Sequence, residues 1–175
     1  MQVMPLSAGK ESDMESEQNK RMTKDAIIQE LIALLNQSQQ KEAANSVYEM
    51  AALIDGMEQK LDLVTEELLS VRKQLERMEQ EKANKSLKAV LKKSVDSLEQ
   101  QCHKMKEQLF EIKEEVREKA SEIVAEVKKK WKKALNKVSE FLGIKEKLQK
   151  FRNNVQKSML CSTSVIDFCK NSAQV

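Results

Sequence analysis

Apolar residues recur at alternating three- and four-residue steps through Val47, Met50, Ile54, Met57, Leu61, Val64, Leu68, Val71, Leu75 and Met78. An α-helix turns once in about 3.6 residues, so a repeat averaging about 3.5 keeps one narrow apolar stripe aimed at another helix. The spacing predicts a long helix over about residues 41–82 whose stripe is a helix–helix interface. The next two seam positions are Lys82 and Lys85, and there the stripe ends.

Upstream, Ile27, Ile28, Leu31, Ile32, Leu34 and Leu35 predict a short amphipathic helix over about 24–36, with Thr23 as its cap. A helix this short is marginal alone and must dock on the rest of the chain or on another subunit. Residues 1–22 are polar, contain Pro5 and Gly9, and read as a disordered arm. Downstream, Asn84 and Ser86 suggest a hairpin turn at about 82–86, with one continuous helix as the alternative, because both are weaker breakers than Gly or Pro.

A third helix is expected over about 87–142. Its later part stacks as three eleven-residue blocks, with Leu109, Ile112 and Val116, then Ala120, Ile123 and Val127, then Trp131, Ala134 and Val138 in equivalent places. That period asks for a nearly straight helix, whereas the earlier heptads ask for a left-handed supercoil, so the two long helices should not follow each other throughout. Unbroken, this helix would be about 84 Å long, which implies a rod or an open bundle. Leu142-Gly143-Ile144 reads as a helix stop with Gly143 left-handed. Ile144, Leu148, Phe151 and Val155 then predict a last helix over about 144–158. From 159 to 175 the texture changes: two cysteines, no Glu and no helical charge pattern suggest a frayed or disordered tail.

Composition agrees with an all-helical chain, since 34% of the 175 residues are charged, 3% are aromatic, and there are three Gly and one Pro. A β-rich or α/β core needs turn residues, aromatics and β-branched clusters that are scarce here. The expected fold is therefore all-α: an elongated antiparallel helical hairpin or coiled coil, with short flanking helices covering its ends. Charge is uneven, with eleven Lys/Arg against sixteen Asp/Glu in residues 1–86 and eleven against four in residues 120–157. Cys102, Cys161 and Cys169 have no zinc-ligand or CxxC spacing, so no disulfide framework is implied and a reducing cytoplasm is the expected location. The N-terminus lacks the apolar core of a signal peptide, and no run reaches the ~18 apolar residues of a membrane span, which argues against secretion and membrane insertion.

The segments MAALIDGMEQKLDLVTEELLSVRKQLERM and SEFLGIKEKLQKFRNNVQKS resemble an uncharacterised family of long-helical bacterial proteins from gut anaerobes, over roughly residues 25–158. The resemblance implies no reaction, cofactor or site residue. Members of that family continue with helical sequence where this chain changes texture, which suggests that the tail reflects a truncation or an altered reading frame.

Little in the chain points to catalysis. His103, the single histidine, is next to Cys102, but adjacent helical residues point about 100° apart. Cys102 occupies an apolar seam position between Leu98 and Met105, so a buried Cys beside a solvent-facing His is the expectation. No metal-ligand cluster or Gly-rich phosphate loop is present, so no enzyme activity and no cofactor are expected. The sharpest local feature is Lys128, Lys129, Lys130, Lys132 and Lys133 around Trp131, followed by Lys137. Such a run can grip nucleic acid or, less readily, anionic lipid, assisted by Lys145, Lys147, Lys150 and Arg152. On one helix, however, these lysines spread around the circumference, and Glu111, Glu114, Glu115, Glu118, Glu122 and Glu126 precede them.

The seam does not name its partner, because Met-rich d positions specify loosely. Glu67 and Arg72 make one attractive pair for a parallel dimer. Leu53, Leu63 and Leu69 widen the stripe and argue for more than one neighbour. The sequence therefore points to a non-enzymatic interaction or scaffold protein that binds a protein partner or itself through the seam, with polyanion binding through Lys128–Lys133 as the alternative.

Overall fold

The computed structural model describes residues 21–78 and 85–172. A single 3-10 turn, Met22–Lys24, leads into five α-helices: α1 Ala26–Gln37, α2 Lys41–Met78, α3 Lys85–Lys129, α4 Trp131–Leu142 and α5 Ile144–Ser172. The all-α class expected from the periodicity is the observed one.

The chain enters through two carboxylates. Asp55 of α2 accepts from the Met22 and Thr23 amides at 2.6 and 3.0 Å and from the Thr23 hydroxyl at 2.7 Å. Asp25 caps α1, its Oδ1 accepting from the Ile27 and Ile28 amides. Thr23, expected to be the cap, is drawn instead into the 3-10 turn by Asp55. Residues 1–20 of the expected arm lie outside the described residues, but Met22, assigned to that arm, is fully buried. α1 buries Ile28, Leu31 and Leu35, and then closes with a Schellman motif. In it the Gln40 amide donates to Leu35 O at 2.8 Å and the Gln39 amide to Asn36 O at 3.1 Å. The motif forces Gln39 to φ 62°, the left-handed region usually left to Gly.

α2 and α3 form the antiparallel hairpin, as three polar cross-links along their length show. Lys113 meets Glu58, Lys106 meets Asp62, and Arg72 meets both Asp96 and Glu99. Higher numbers on one helix pair with lower numbers on the other. Of the turn placed at 82–86, Lys85 and Ser86 already belong to α3, while residues 79–84 lie outside the described residues. The α2 seam from Val47 to Leu75 faces a matching α3 series, Leu91, Val95, Leu98, Cys102, Met105, Leu109, Ile112 and Val116, again in alternating steps. Each large apolar side chain buried this way contributes roughly 1.5–3 kcal/mol before entropy is counted.

Beyond Val116 the α3 repeat changes, and there α3 acquires new neighbours. α1 lies alongside it, with Arg117 on Asp25 and Lys128 on Glu30. The single long helix expected over 87–142 is broken at Lys130, whose φ −151° and ψ 107° are extended. The Lys130 amide closes the last turn of α3 on Glu126 O at 2.7 Å. From there α4 folds back on α3, with Lys137 within 3.4 Å of Glu126 and 3.9 Å of Glu122. The physical reason is that Ala134, Val138 and Phe141 gain a covered face only by returning to the bundle. The reversal also leaves Lys128 and Lys129 in the last turn of α3, where the helix dipole favours cations.

The helix boundary expected at Gly143 is observed, but not the left-handed conformation expected there. Gly143 is right-handed (φ −62°, ψ −23°), and its amide donates to Ser139 O at 3.3 Å and Glu140 O at 3.1 Å. α5 then runs antiparallel to α3 and parallel to α2, tied by Lys147 to Glu115 and by Lys145 to Glu49, both at 2.9 Å. It continues through the region expected to fray, as far as Ser172, and buries Ser162, Ile166 and Cys169 beside the hairpin. Ser162 and Cys169 prolong the Leu148–Val155 stripe by whole heptads with Ile166 at the intervening four-residue step, and that stripe, not charge pattern, keeps the segment helical. The rod is thus three helices thick along much of its length, and α3 alone is about 68 Å long.

Candidate interaction surfaces

Nine of the ten seam residues, Val47 to Leu75, are buried between helices of the same chain. The side chain of the tenth, Met78, lies outside the described residues. The seam is therefore spent inside the fold. Arg72, which pairs with Glu67 only in a parallel dimer, here serves the antiparallel hairpin instead. Its Nε donates to Glu99 Oε1 at 2.9 Å and its Nη2 to Glu99 Oε2 at 2.6 Å, with Asp96 accepting a further bond from Nη2. Bidentate carboxylate binding of this kind holds the guanidinium charged and well above its ordinary pKa, through the hydrogen bonds to Glu99 first and Asp96 second.

The lysine run is divided by the break at Lys130. Lys128 is tied to Glu30 at 3.0 Å and Lys137 to Glu126 and Glu122. Lys129, Lys130 and Lys132 are exposed at the corner between α3 and α4 and make no ion pair among the described residues. The Lys133 side chain lies outside the described residues, and Trp131 is half-buried against the core. The spread of cations around one continuous helix is thus replaced by a corner at one end of the rod. Lys145 and Lys147, two further candidates, are occupied by Glu49 and Glu115.

Cys102 and His103 are divided between core and solvent. The Cys102 thiol is buried, and that burial pushes its pKa up. His103 is exposed, with Nε2 at 3.1 Å from Glu107 one turn on. Cys169 is likewise buried and its pKa raised for the same reason, whereas Cys161 is exposed. Among the described residues no three His, Cys, Asp or Glu side chains gather at metal-binding spacing. No described helix is long and apolar enough to cross a membrane.

Two features were not visible as sites in the sequence. One groove, of about 430 Å³, lies along α2 beside Arg21 and is edged by Asp55, Glu58 and Asp62. Each of these carboxylates is already engaged, by the Met22 and Thr23 amides, by Lys113 and by Lys106. The other, of about 460 Å³, lies between α3 and α5, edged by Gln108, Glu111 and Glu115 on one side and Lys147, Lys150 and Asn154 on the other. Toward the hairpin tip the apolar side chains Leu87, Val90 and Phe168 stand exposed. Leu63 and Leu69, expected to find a second neighbour, are also exposed, while Leu53 does pack against the core. The signal that could have located Phe168 was the heptad through Leu148, Val155, Ser162 and Cys169, masked by a polar residue at Ser162.

No curated protein and no solved structure matches the chain. One family does, across residues 24–170, and the match runs through most of the segment that the sequence reading set apart as a foreign tail and beyond the 25–158 span first suggested by resemblance. The helical continuation of α5 and this span agree, and the chain belongs to the family of unknown function DUF6674.

Proposed function

We propose that the chain is a non-enzymatic helical interaction protein, a scaffold that presents its outer faces once its seam has been used internally. The observation that carries this reading is the set of large apolar side chains left outside a completed core. Leu63, Leu69, Val90, Leu160 and Phe168 are each about half or more exposed, from 49% for Leu69 to 71% for Leu160. Where such side chains adjoin on one face of a chain rich in charge, the patch marks a surface that is covered in use. A bacterial cytoplasm is the setting we expect, in keeping with three cysteines that form no disulfide among the described residues.

The experiment is in-cell photo-crosslinking, with a photoreactive residue placed at Leu63, Val90 or Phe168 and, as controls, at Asn45 and Ser121. Discrete adducts from the apolar positions and none from the controls support the reading. Equal labelling from both sets overturns it.

A second reading, polyanion binding, is favoured by the corner at Lys129, Lys130 and Lys132. Its signature is a salt-sensitive affinity for duplex DNA that the triple Lys→Glu variant abolishes while the crosslinked adducts persist.

A further inference from the structure

At Lys130 the local sequence and the tertiary structure disagree. From Val116 the apolar positions Ala120, Ile123, Val127, Trp131, Ala134 and Val138 follow in steps of four and three, and the phase is the same on both sides of the break. No Gly or Pro lies between Gly56 and Gly143. Lys, Ala and Leu are good helix formers and, with Trp131, make up all of residues 128–135. The helix end created by the break is also poorly finished. Lys130 stands at the N-cap of α4, where its side chain, a donor only, makes no capping hydrogen bond. The first turn of α4 holds no acidic residue, and Lys132 lies there at the positive end of the helix dipole. Joining α3 to α4 removes both defects, because the first amides of α4 then donate to the last carbonyls of α3. What a straight helix loses is the cover over Ala134, Val138 and Phe141, all buried by the reversal, together with the docking of α5 that follows them.

We infer that two copies of the chain exchange α4 and α5, with α3 and α4 of each running on as one helix through Lys130. The partner is a second copy because the surface that α4 and α5 vacate is complementary to those helices, and the same segment of another copy refills it with the same contacts. The direction of the helices allows this. Lys137 beside Glu126 and Glu122 shows that α4 runs back along α3. A helix continuing straight out of one copy therefore enters the other antiparallel to its α3, as α4 does within one chain. In the exchanged pair the ties of Lys137 to Glu126, Lys145 to Glu49 and Lys147 to Glu115 are all made between chains. Only the corner differs between the two forms. The exchange uses none of the exposed apolar side chains and so goes beyond the interaction reading above.

In the test the full chain is refolded from urea at low and at high concentration and separated by size exclusion coupled to light scattering. A single-chain species at low concentration and a growing two-chain species at high concentration are expected. In a Cys161→Ser background, Glu115→Cys combined with Lys147→Cys is then joined by a short bismaleimide and run on a denaturing gel. The two-chain fraction should give linked dimer and the single-chain fraction none, and neither cysteine alone should link chains. Trp131→Pro should abolish the two-chain species: proline is accepted in the first turn of a helix and favours an extended residue before it, the conformation of Lys130, but it breaks a continuous helix. Lys130→Gly, which keeps Trp131, should weaken the two-chain species about tenfold, because one glycine then lies inside each of the two joined helices. The mass of one chain at every concentration overturns the inference. So does a two-chain species whose link between residues 115 and 147 stays within one chain, or one that Lys130→Gly leaves unchanged.

Discussion

Lys113 of α3 places its ammonium 2.7 Å from Glu58 Oε1 of α2, with only 1% of its side chain accessible. A lysine so fully enclosed must keep a carboxylate nearby or lose the solvation that its charge requires. Removing the carboxylate should therefore cost more than removing the lysine. Glu58→Ala is expected to lower stability by about 2 kcal/mol, whereas Lys113→Met, which fills the same space without charge, should fall within about 1 kcal/mol of the parent or exceed it. Urea denaturation of the two variants checks the order, and a larger loss for Lys113→Met would contradict it.

Arg72 and Glu99 offer a direct probe of the hairpin's direction. Both side chains are about 30% exposed, so their coupling is modest. A double-mutant cycle with Arg72→Ala and Glu99→Ala should return about 0.5–1 kcal/mol of coupling, and the same cycle with Glu67 in place of Glu99 should return almost none. A parallel pairing of α2 would reverse that outcome.

Gln39 occupies a conformation that side chains resist. At φ 62° its Cβ crowds the following carbonyl, and Gly has none. Gln39→Gly should stabilise the fold by about 0.5–1 kcal/mol, raising the melting temperature without altering helix content. An unchanged or lower melting temperature would show that the Gln side chain contributes something the backbone geometry does not reveal.

Glu115 links acid stability to the docking of α5. Its hydrogen bond from Lys147, with a smaller contribution from Lys119, holds its pKa below the ordinary 4.5. A carboxyl depressed in the folded state adds stability above its unfolded pKa and loses it as the pH falls through the folded value. The advantage of the parent over Glu115→Gln should therefore be full at neutral pH and shrink only below about 4.5. Thermal melts at neutral and acidic pH measure it; an advantage that grew on acidification would refute the assignment.

Much of the architecture was legible in residue order. Heptad spacing identified the α2 seam, because burial selects residue types at the helical period whatever the partner, while on α3 the sequence marked only Leu98, Cys102 and Met105 and the eleven-residue blocks from Leu109. The antiparallel hairpin was the expected arrangement and is the observed one, although the stripe alone does not encode direction. The direction is read from Arg72, Lys106 and Lys113, each of which meets a carboxylate across the antiparallel pair. The corner at Lys130 was hidden for a related reason: the eleven-residue blocks continue through it without a break, and only the return of Ala134, Val138 and Phe141 to a neighbouring helix shows why the chain reverses. Gly143 marked the boundary between α4 and α5 but not its conformation, since glycine permits a left-handed stop and does not require one.

The sequence by itself determined that this protein is built of amphipathic helices, where the first long stripe lies, and that Cys102 faces inward beside an outward His103. Those properties depend on local periodicity, which each segment carries alone. Only the tertiary structure decided that the seam is used within the chain, that Asp25 and not Thr23 caps α1, and that the apparently foreign tail is the end of α5. It also decided which apolar residues remain outside. Each of these depends on what lies across the interface, and many neighbours can satisfy the same stripe until packing admits one set.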